Sequence, residues 1–136
     1  MNRRSFLFSS AAMSLVPLGA LAAPFAYTPG IVEEALAAGK TVFLDFKASW
    51  CTTCAAQERV IAKLKQANPA YEEAITFIDV DWDEYGRSDF TKGHKIPRRS
   101  TLVVLKGDVE LGRIVAGTGE AEIKALMDTA LAAAMV

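Results

Sequence analysis

Two short runs of apolar residues mark the interior of the predicted fold. Residues 41–46 are nearly continuous in aromatic and branched side chains, and residues 75–80 have a similar composition. Runs of this length are typical of strands that are covered on both faces of a sheet. Two further runs, 102–105 and 111–115, flank a turn signal at 106–108. The pattern therefore predicts four strands, and the last two form a hairpin.

Longer stretches alternate apolar and charged residues at helical spacing. An apolar stripe over residues 51–67 predicts an amphipathic helix that Asn68 and Pro69 close. The same spacing over residues 123–134 predicts a terminal helix that covers the sheet.

Two shorter helices complete the predicted order of elements. Pro29 is typical of a helix start and Gly39 of a helix stop, so a short helix follows an extended leader at 24–28. Residues 81–84 lead into a polar helix that ends near Gly93. Two strands that are connected through a helix lie parallel to each other, whereas the two strands of a hairpin are antiparallel. The sequence therefore predicts an α/β fold with a mixed central sheet and helices on both faces.

The first 22 residues have the features of an export signal. Arg3 and Arg4 precede an uncharged, moderately apolar stretch, and residues 20–22 provide small side chains at the spacing that a signal peptidase recognises. The arginine pair followed by Phe-Leu resembles a bacterial twin-arginine signal. We therefore expect cleavage near Ala22 and a periplasmic mature protein. The alternative is a retained membrane anchor, which the serines and Pro17 of this stretch disfavour.

Charge and length limit what the mature chain can be. Removal of residues 1–22 takes away two of the 15 basic residues and none of the 16 acidic ones, so the formal charge becomes −3. The chain has no excess of positive charge that would indicate nucleic-acid binding. It also has no second apolar run that would indicate a membrane domain. We expect a leader with a short helix at 23–39 and one domain at 40–136.

The chemistry is expected at the only two cysteines of the sequence, Cys51 and Cys54. Their spacing places both sulfurs on one side of a helical turn, where they can form a disulfide or remain two thiols. If Cys51 opens the helix, free N–H groups and the helix dipole stabilise its thiolate. A thiolate is the form that attacks disulfides, so the motif predicts dithiol–disulfide exchange without a metal or cofactor.

Metal binding is the main alternative for these cysteines. A structural zinc site needs about four ligands, but His94 is the only histidine and no third cysteine exists. A Cu(I) carrier that uses Cys51, Cys54 and His94 fits better, because thiolates select Cu(I). A purely structural disulfide across so short a loop would restrict the unfolded chain little.

Over about residues 40–133 the chain resembles thioredoxin-fold proteins. The resemblance rests on residues 43–54, on Ile96 and Pro97, and on the hairpin and terminal helix that follow. A C-x-x-C motif alone is weak, but a preceding strand, an acid six residues upstream and a later Ile-Pro make it specific. The resemblance implies a thioredoxin fold and a protein-disulfide oxidoreductase. With its arginine signal, the chain is similar to periplasmic thioredoxin-like proteins that receive electrons from a membrane protein.

The resemblance also implies roles for individual residues. Cys51 should be the attacking thiol, and Cys54 the thiol that resolves the mixed disulfide with a protein substrate. Asp45 matches the buried acid of thioredoxins, which could take the proton from Cys54; the alternative is an exposed strand aspartate. Trp50 would flank the thiols as an apolar wall, although a core tryptophan is an equal interpretation.

Two departures from the thioredoxin pattern matter. Thr52 and Thr53 replace the usual Gly-Pro between the cysteines, which leaves the redox direction open, whereas a buried acid favours a reductant. In addition, three residues separate Pro97 from the strand that begins near residue 101. Either Pro97 is the cis proline beside the active site, with an enlarged loop after it, or Ser100 lies where proline belongs.

We predict that Pro97 is the cis proline, because only X-Pro bonds adopt cis at low cost. We further predict that Ile96 and Pro97 contact the substrate. Arg98 and Arg99 are then either solvated loop charges or, if they lie near the cysteines, groups that favour a thiolate.

Overall fold

The computed structural model describes residues 22–136. The predicted export signal at 1–22, and with it the alternative of a membrane anchor, lies outside the described residues except for Ala22. Within the described range, no helix is both long enough and apolar enough to cross a membrane.

The described chain contains five strands and six helices. The strands are β1 (Phe25–Ala26), β2 (Thr41–Lys47), β3 (Ile75–Asp81), β4 (Thr101–Lys106) and β5 (Val109–Val115). The helices are α1 (Ile31–Ala37), α2 (Thr52–Ala67), α3 (Ala70–Ala74), α4 (Trp82–Tyr85), α5 (Asp89–Gly93) and α6 (Glu120–Ala134).

The strands form one mixed sheet in the order β1-β3-β2-β4-β5. Strands β2 and β3 are parallel and are connected through α2 and α3, whereas β4 is antiparallel to both β2 and β5. Two residues, Gly107 and Asp108, form the turn between β4 and β5, and Gly107 adopts a positive φ of 59° that suits glycine. The predicted mixed sheet and the predicted hairpin are both confirmed.

Apolar side chains cover both faces of the sheet. One core lies under α2, α3 and α6 and contains Phe43, Ile61, Leu64, Tyr71, Ile75, Phe77, Leu102, Val104, Ile123, Leu126, Met127 and Ala130. The other lies under α1, α4 and α5 and contains Tyr27, Val32, Val42, Leu44, Phe46, Ile78, Val80, Ile96, Val103 and Leu105. Burial on both faces explains why β2 and β4 are almost continuously apolar.

The alternation of side chains along β2 places an acidic residue under α2, the helix that begins at the C-x-x-C motif. Leu44 and Phe46 belong to the core under α1, α4 and α5, so Phe43 and Asp45 point to the opposite face. There Asp45 lines a cavity together with Ile61 of α2. The sheet therefore brings a carboxyl group beneath the helix that carries the cysteines.

Three local features differ from the pattern in the sequence. The leader forms a short strand, β1, that pairs in parallel with β3. Asn68 ends α2 as predicted, but its Oδ1 then accepts from the Ala70 N–H and starts α3. The predicted polar helix is split into α4 and α5, because the Ser88 side chain accepts from the Thr91 N–H and caps a new helix.

Candidate active site

The two cysteines lie at the N-terminus of α2. Cys51 is the N-cap residue, with extended backbone angles, and its Sγ accepts a hydrogen bond from the Cys54 N–H at 3.2 Å. The prediction that Cys51 opens the helix is confirmed. Both residues are free thiols, and Cys51 is the outer one, with 4% of its surface exposed against 1% for Cys54. Approach of a partner would therefore reach Cys51 first.

A hydroxyl group lies between the two sulfurs. The Oγ atom of Ser100 is 3.1 Å from the Cys51 Sγ and 3.0 Å from the Cys54 Sγ. Ser100 is completely buried, and it directly precedes β4, which is paired with β2. Its N–H donates to the Phe46 carbonyl at 2.7 Å, so the backbone of β2 fixes the position of this hydroxyl.

The environment separates the pKa values of the two thiols. Burial opposes ionisation of Cys51, but hydrogen bonds from Cys54, Ser100 and Arg99 outweigh it and lower the pKa of Cys51 to about 6. Burial and the hydrogen bond with Cys51 raise the pKa of Cys54. At neutral pH the outer sulfur is therefore the thiolate, and the inner sulfur keeps its proton.

Asp45 is buried, with 6% of its surface exposed, and its Oδ1 has no hydrogen-bond partner. Burial first, and then the nearby Asp79 carboxylate, raise the pKa of Asp45 to about 7. The alternative of an exposed strand aspartate therefore does not hold. Asp45 is a carboxyl group that exchanges its proton near neutral pH.

A cavity of about 180 Å³ between the sheet and α2 is lined by Asp45 and other charged groups as well as by apolar side chains. Lys47 lines this cavity and pairs with Glu58 at 3.1 Å and with Asp79 at 3.6 Å. Asp79 stands directly opposite Asp45 in the parallel pair β2–β3. A cavity of this size with several charged groups in its wall has room for water, which could carry a proton between Asp45 and its surroundings.

Trp50 is not a core residue, since 57% of its surface is exposed. Its Nε1 donates to the Asp83 carboxylate at 3.0 Å, and the Arg99 guanidinium lies 4.5 Å from the centre of its ring. Arg99 also helps to lower the pKa of Cys51. Trp50 and Arg99 therefore form the rim beside the outer sulfur, and Arg99 is more than a solvated loop charge.

The prediction that Pro97 is a cis proline is wrong. All peptide bonds of residues 22–136 are trans, Pro97 is exposed, and Ser100 contacts the sulfurs instead. Ile96 is buried in the core under α5. The loop reverses through two positive φ angles, 54° at Lys95 and 62° at Ser100, and so reaches β4 without a cis bond. Ser100 thus holds the position that the resemblance assigns to proline.

His94 does not join the cysteines. Its ring packs against Phe90 with centroids 4.7 Å apart, and its carbonyl accepts a hydrogen bond from Arg113 at 2.8 Å. Across residues 22–136, no group of three His, Cys, Asp or Glu side chains is arranged to hold a metal ion. A copper site would therefore have to rely on the two thiolates and other kinds of ligand.

Sequence reasoning missed two residues of the site. Gln57 is completely buried and connects α2 to the loop that carries Ser100. A signal was present, since Gln57 lies three residues after Cys54 and hence on the same helix face. Asp79 could have been found only from the register of β3 against β2, which places it opposite Asp45.

Comparisons with known proteins give a consistent result. A family model described as thioredoxin-like matches residues 26–131. A thioredoxin of Echinococcus granulosus is 30% identical over 96 residues, which are 71% of this chain and 83% of that protein. Thioredoxin-2 of Saccharomyces cerevisiae is 36% identical over 93 residues, which are 68% of this chain and 83% of that protein.

A solved structure is also similar to this chain. Trxlp from Edwardsiella tarda superposes with a TM-score of 0.64 at 26% identity, and the match covers 78% of this chain and 96% of that one. The fold class predicted from the sequence is confirmed.

Proposed function

The chain belongs to the thioredoxin-like family and is a thiol–disulfide oxidoreductase, and we propose that it reduces protein disulfides with Cys51 as the attacking thiol. The observation that carries this assignment is the asymmetry of the two sulfurs. The Sγ of Cys51 accepts from a helix N-terminal N–H, and the Cys51 pKa is lowered to about 6. Cys54 lies deeper, and its pKa is raised.

The proposed reaction proceeds in two exchanges. The Cys51 thiolate attacks a substrate disulfide, forms a mixed disulfide and releases one substrate thiolate. Asp45 then takes the proton from Cys54, directly or through water in the cavity. The Cys54 thiolate attacks the Cys51 sulfur, an intramolecular disulfide forms and the second substrate thiolate leaves. The substrate gains two electrons, and the protein must be reduced again by a donor.

Trapping of intermediates tests these roles. Cys54→Ser should accumulate mixed disulfides through Cys51, because attack needs one thiolate whereas release needs the second thiol. Cys51→Ser is the matched control and should trap little. Adducts would be resolved on non-reducing gels. If Cys54→Ser forms no reducible adduct while the native protein copurifies with stoichiometric copper, the protein is a copper carrier instead, since both thiolates would then be ligands.

The direction of electron flow is proposed to be reductive. A buried acid that accepts the Cys54 proton is useful where the dithiol is the working form, and Asp45 has the burial and the raised pKa for this task. Equilibration with glutathione would give the reduction potential. We expect a value nearer to thioredoxin, at about −270 mV, than to a strong periplasmic oxidant at about −120 mV. A reduction potential near that of the strong oxidant, at about −120 mV, would identify this protein as an oxidant instead.

The proposed location is the periplasm, with a membrane electron-donor protein as the source of electrons. The support comes from the paired arginines at positions 3 and 4 and from the small residues at 20–22. Protein recovered from the periplasm should begin near Ala23. Replacement of both arginines by lysine should retain the precursor in the cytoplasm. Periplasmic protein with an intact N-terminus would contradict cleavage.

A further inference from the structure

We propose that Ser100 is a catalytic residue of the exchange reaction, whose hydroxyl donates a hydrogen bond to whichever of the two sulfurs carries the negative charge. We further propose that Gln57 is the positioning residue that holds Ser100 in place. Both assignments rest on the proposed roles of Cys51 and Cys54.

The contacts of the hydroxyl support this role. Ser100 Oγ lies within hydrogen-bond distance of both sulfurs, at 3.1 Å from Cys51 and 3.0 Å from Cys54. A serine hydroxyl has one proton to donate and two lone pairs to accept with. It can therefore donate to the Cys51 thiolate from a position that is equally close to Cys54. This arrangement favours the monoanion with its charge on the outer sulfur.

The backbone of Ser100 is held in a conformation that serine adopts at a cost. Its φ of 62° lies in the left-handed region, where glycine or asparagine would be less strained. Three hydrogen bonds to its N–H and carbonyl groups hold it there. Its N–H donates to the Phe46 carbonyl at 2.7 Å, and its carbonyl accepts from the Ala116 N–H at 2.9 Å and from the Gln57 Nε2 at 2.9 Å. Such strain persists where the surroundings determine it, and it is common at functional sites.

Gln57 ties three parts of the fold together. It lies on α2, is completely buried, and donates its second hydrogen bond to the Gly117 carbonyl at 3.0 Å. The same helix carries both cysteines. Gln57 therefore sets the distance between the loop that carries Ser100 and the sulfurs.

The hydroxyl would serve both steps of the exchange. Before attack, it donates to the Cys51 thiolate. Once Cys51 has formed the mixed disulfide, its sulfur carries no charge. The hydroxyl then turns toward Cys54 and stabilises the thiolate that forms as the Cys54 proton leaves for Asp45. The new disulfide forms between Cys51 and Cys54, the substrate thiolate leaves, and the Ser100 proton stays on its oxygen throughout.

Deletion of the hydroxyl should weaken the thiolate. Hydrogen bonds to charged groups are stronger than those between neutral groups. We therefore expect the equilibrium constant between the dithiol and the disulfide to shift about ten-fold toward the disulfide. By the same linkage the pH midpoint for alkylation of Cys51 should rise by about one unit. Resolution of the mixed disulfide by Cys54 should slow about ten-fold as well.

The test compares Ser100→Gly with wild type. Glycine adopts the positive φ freely, so this variant removes the hydroxyl without forcing the loop to move. The control is Thr101→Val, which removes a neighbouring buried hydroxyl that donates to the Arg98 carbonyl and not to sulfur. The readouts are the pH profile of iodoacetamide alkylation of the reduced protein and its equilibrium with glutathione. Only Ser100→Gly should shift both.

A double-mutant cycle tests Gln57. Gln57→Met keeps the size of the side chain but removes its donors, so the alkylation midpoint should rise in the wild-type background and stay unchanged when Ser100 is already glycine. A purely structural role would lower the unfolding free energy equally in both backgrounds without this pattern. Equal midpoint shifts in the two backgrounds would overturn the assignment of Gln57.

The outcomes separate this inference from the proposed function. If Ser100→Gly folds and keeps the wild-type midpoint and glutathione equilibrium, the role of Ser100 is refuted. Trapping by Cys54→Ser would still stand in that case. If Cys54→Ser traps nothing, the proposed roles of the cysteines fail, whatever Ser100 does.

Discussion

Replacement of Asp45 by asparagine should stabilise the protein, and the gain should depend on pH. The folded state raises the pKa of Asp45 from 3.8 to about 7, chiefly through burial and then through Asp79. Between these values the folded state binds more protons than the unfolded state, so the unfolding free energy falls as pH rises. Asparagine carries no charge and is not subject to this loss.

The raised pKa sets the expected size of the effect. A rise in the pKa of Asp45 from 3.8 to about 7 corresponds to about 4 kcal/mol. The difference between Asp45→Asn and wild type should therefore be small near about pH 4, should grow through about pH 5 and 6, and should level off at about 4 kcal/mol above about pH 7. This loss is large against the total stability of a single domain, which is about 5–15 kcal/mol.

Urea unfolding of the reduced protein, followed by circular dichroism across this pH range, would measure the difference. Asp108→Asn is the matched control, because Asp108 is exposed in the hairpin turn and asparagine suits the same turn. A gain for Asp45→Asn that is independent of pH would refute the reasoning. So would a variant that is less stable than wild type at about pH 8. The same variant should slow resolution by Cys54 while it leaves attack by Cys51 nearly intact.

Three further predictions concern the rim and the core. The rate of alkylation of reduced wild-type protein should rise with pH about a midpoint near 6, because Cys51 reacts as the thiolate; a midpoint at about 8.5, the ordinary pKa of a cysteine thiol, would contradict this. Arg99→Gln should raise that midpoint, since its guanidinium stabilises the thiolate, whereas the distant Arg113→Gln should not. Met127→Ala should lower the urea-unfolding free energy by about 2–5 kcal/mol, because the side chain is completely buried, and should leave the alkylation midpoint unchanged.

The elements that the sequence predicted well are those whose signal is local. The runs at 41–46 and 75–80 form β2 and β3 with an extra residue at the C-terminal end, since continuous apolar composition directly reflects burial on both faces. The helix after Cys51 was equally clear, because its apolar stripe and its closing Asn68 lie within the segment itself. By contrast, β1 is two residues long and exists only through pairing with β3, so no local pattern indicated it.

The loop between Pro97 and β4 shows where local reasoning failed. Because cis costs little only at X-Pro bonds, Pro97 is the reasonable choice from the sequence, and the dipeptide itself gives no sign to the contrary. The path of this loop is set by its anchor points: the Phe46 carbonyl, which receives the Ser100 N–H, and Gln57, which holds the Ser100 carbonyl. Both anchors are more than 40 residues away in the sequence.

The sequence by itself determined the family, the mixed sheet and the dithiol at a helix start, because composition, periodicity and the C-x-x-C spacing act over a few residues. Tertiary structure alone decided which other groups surround the dithiol. Strand register placed Asp79 opposite Asp45, and the closing of the loop onto β2 placed the Ser100 hydroxyl between the sulfurs. A pKa depends on burial and on neighbours brought together from distant segments, so the ionisation of Cys51, Cys54 and Asp45 is a property of the fold.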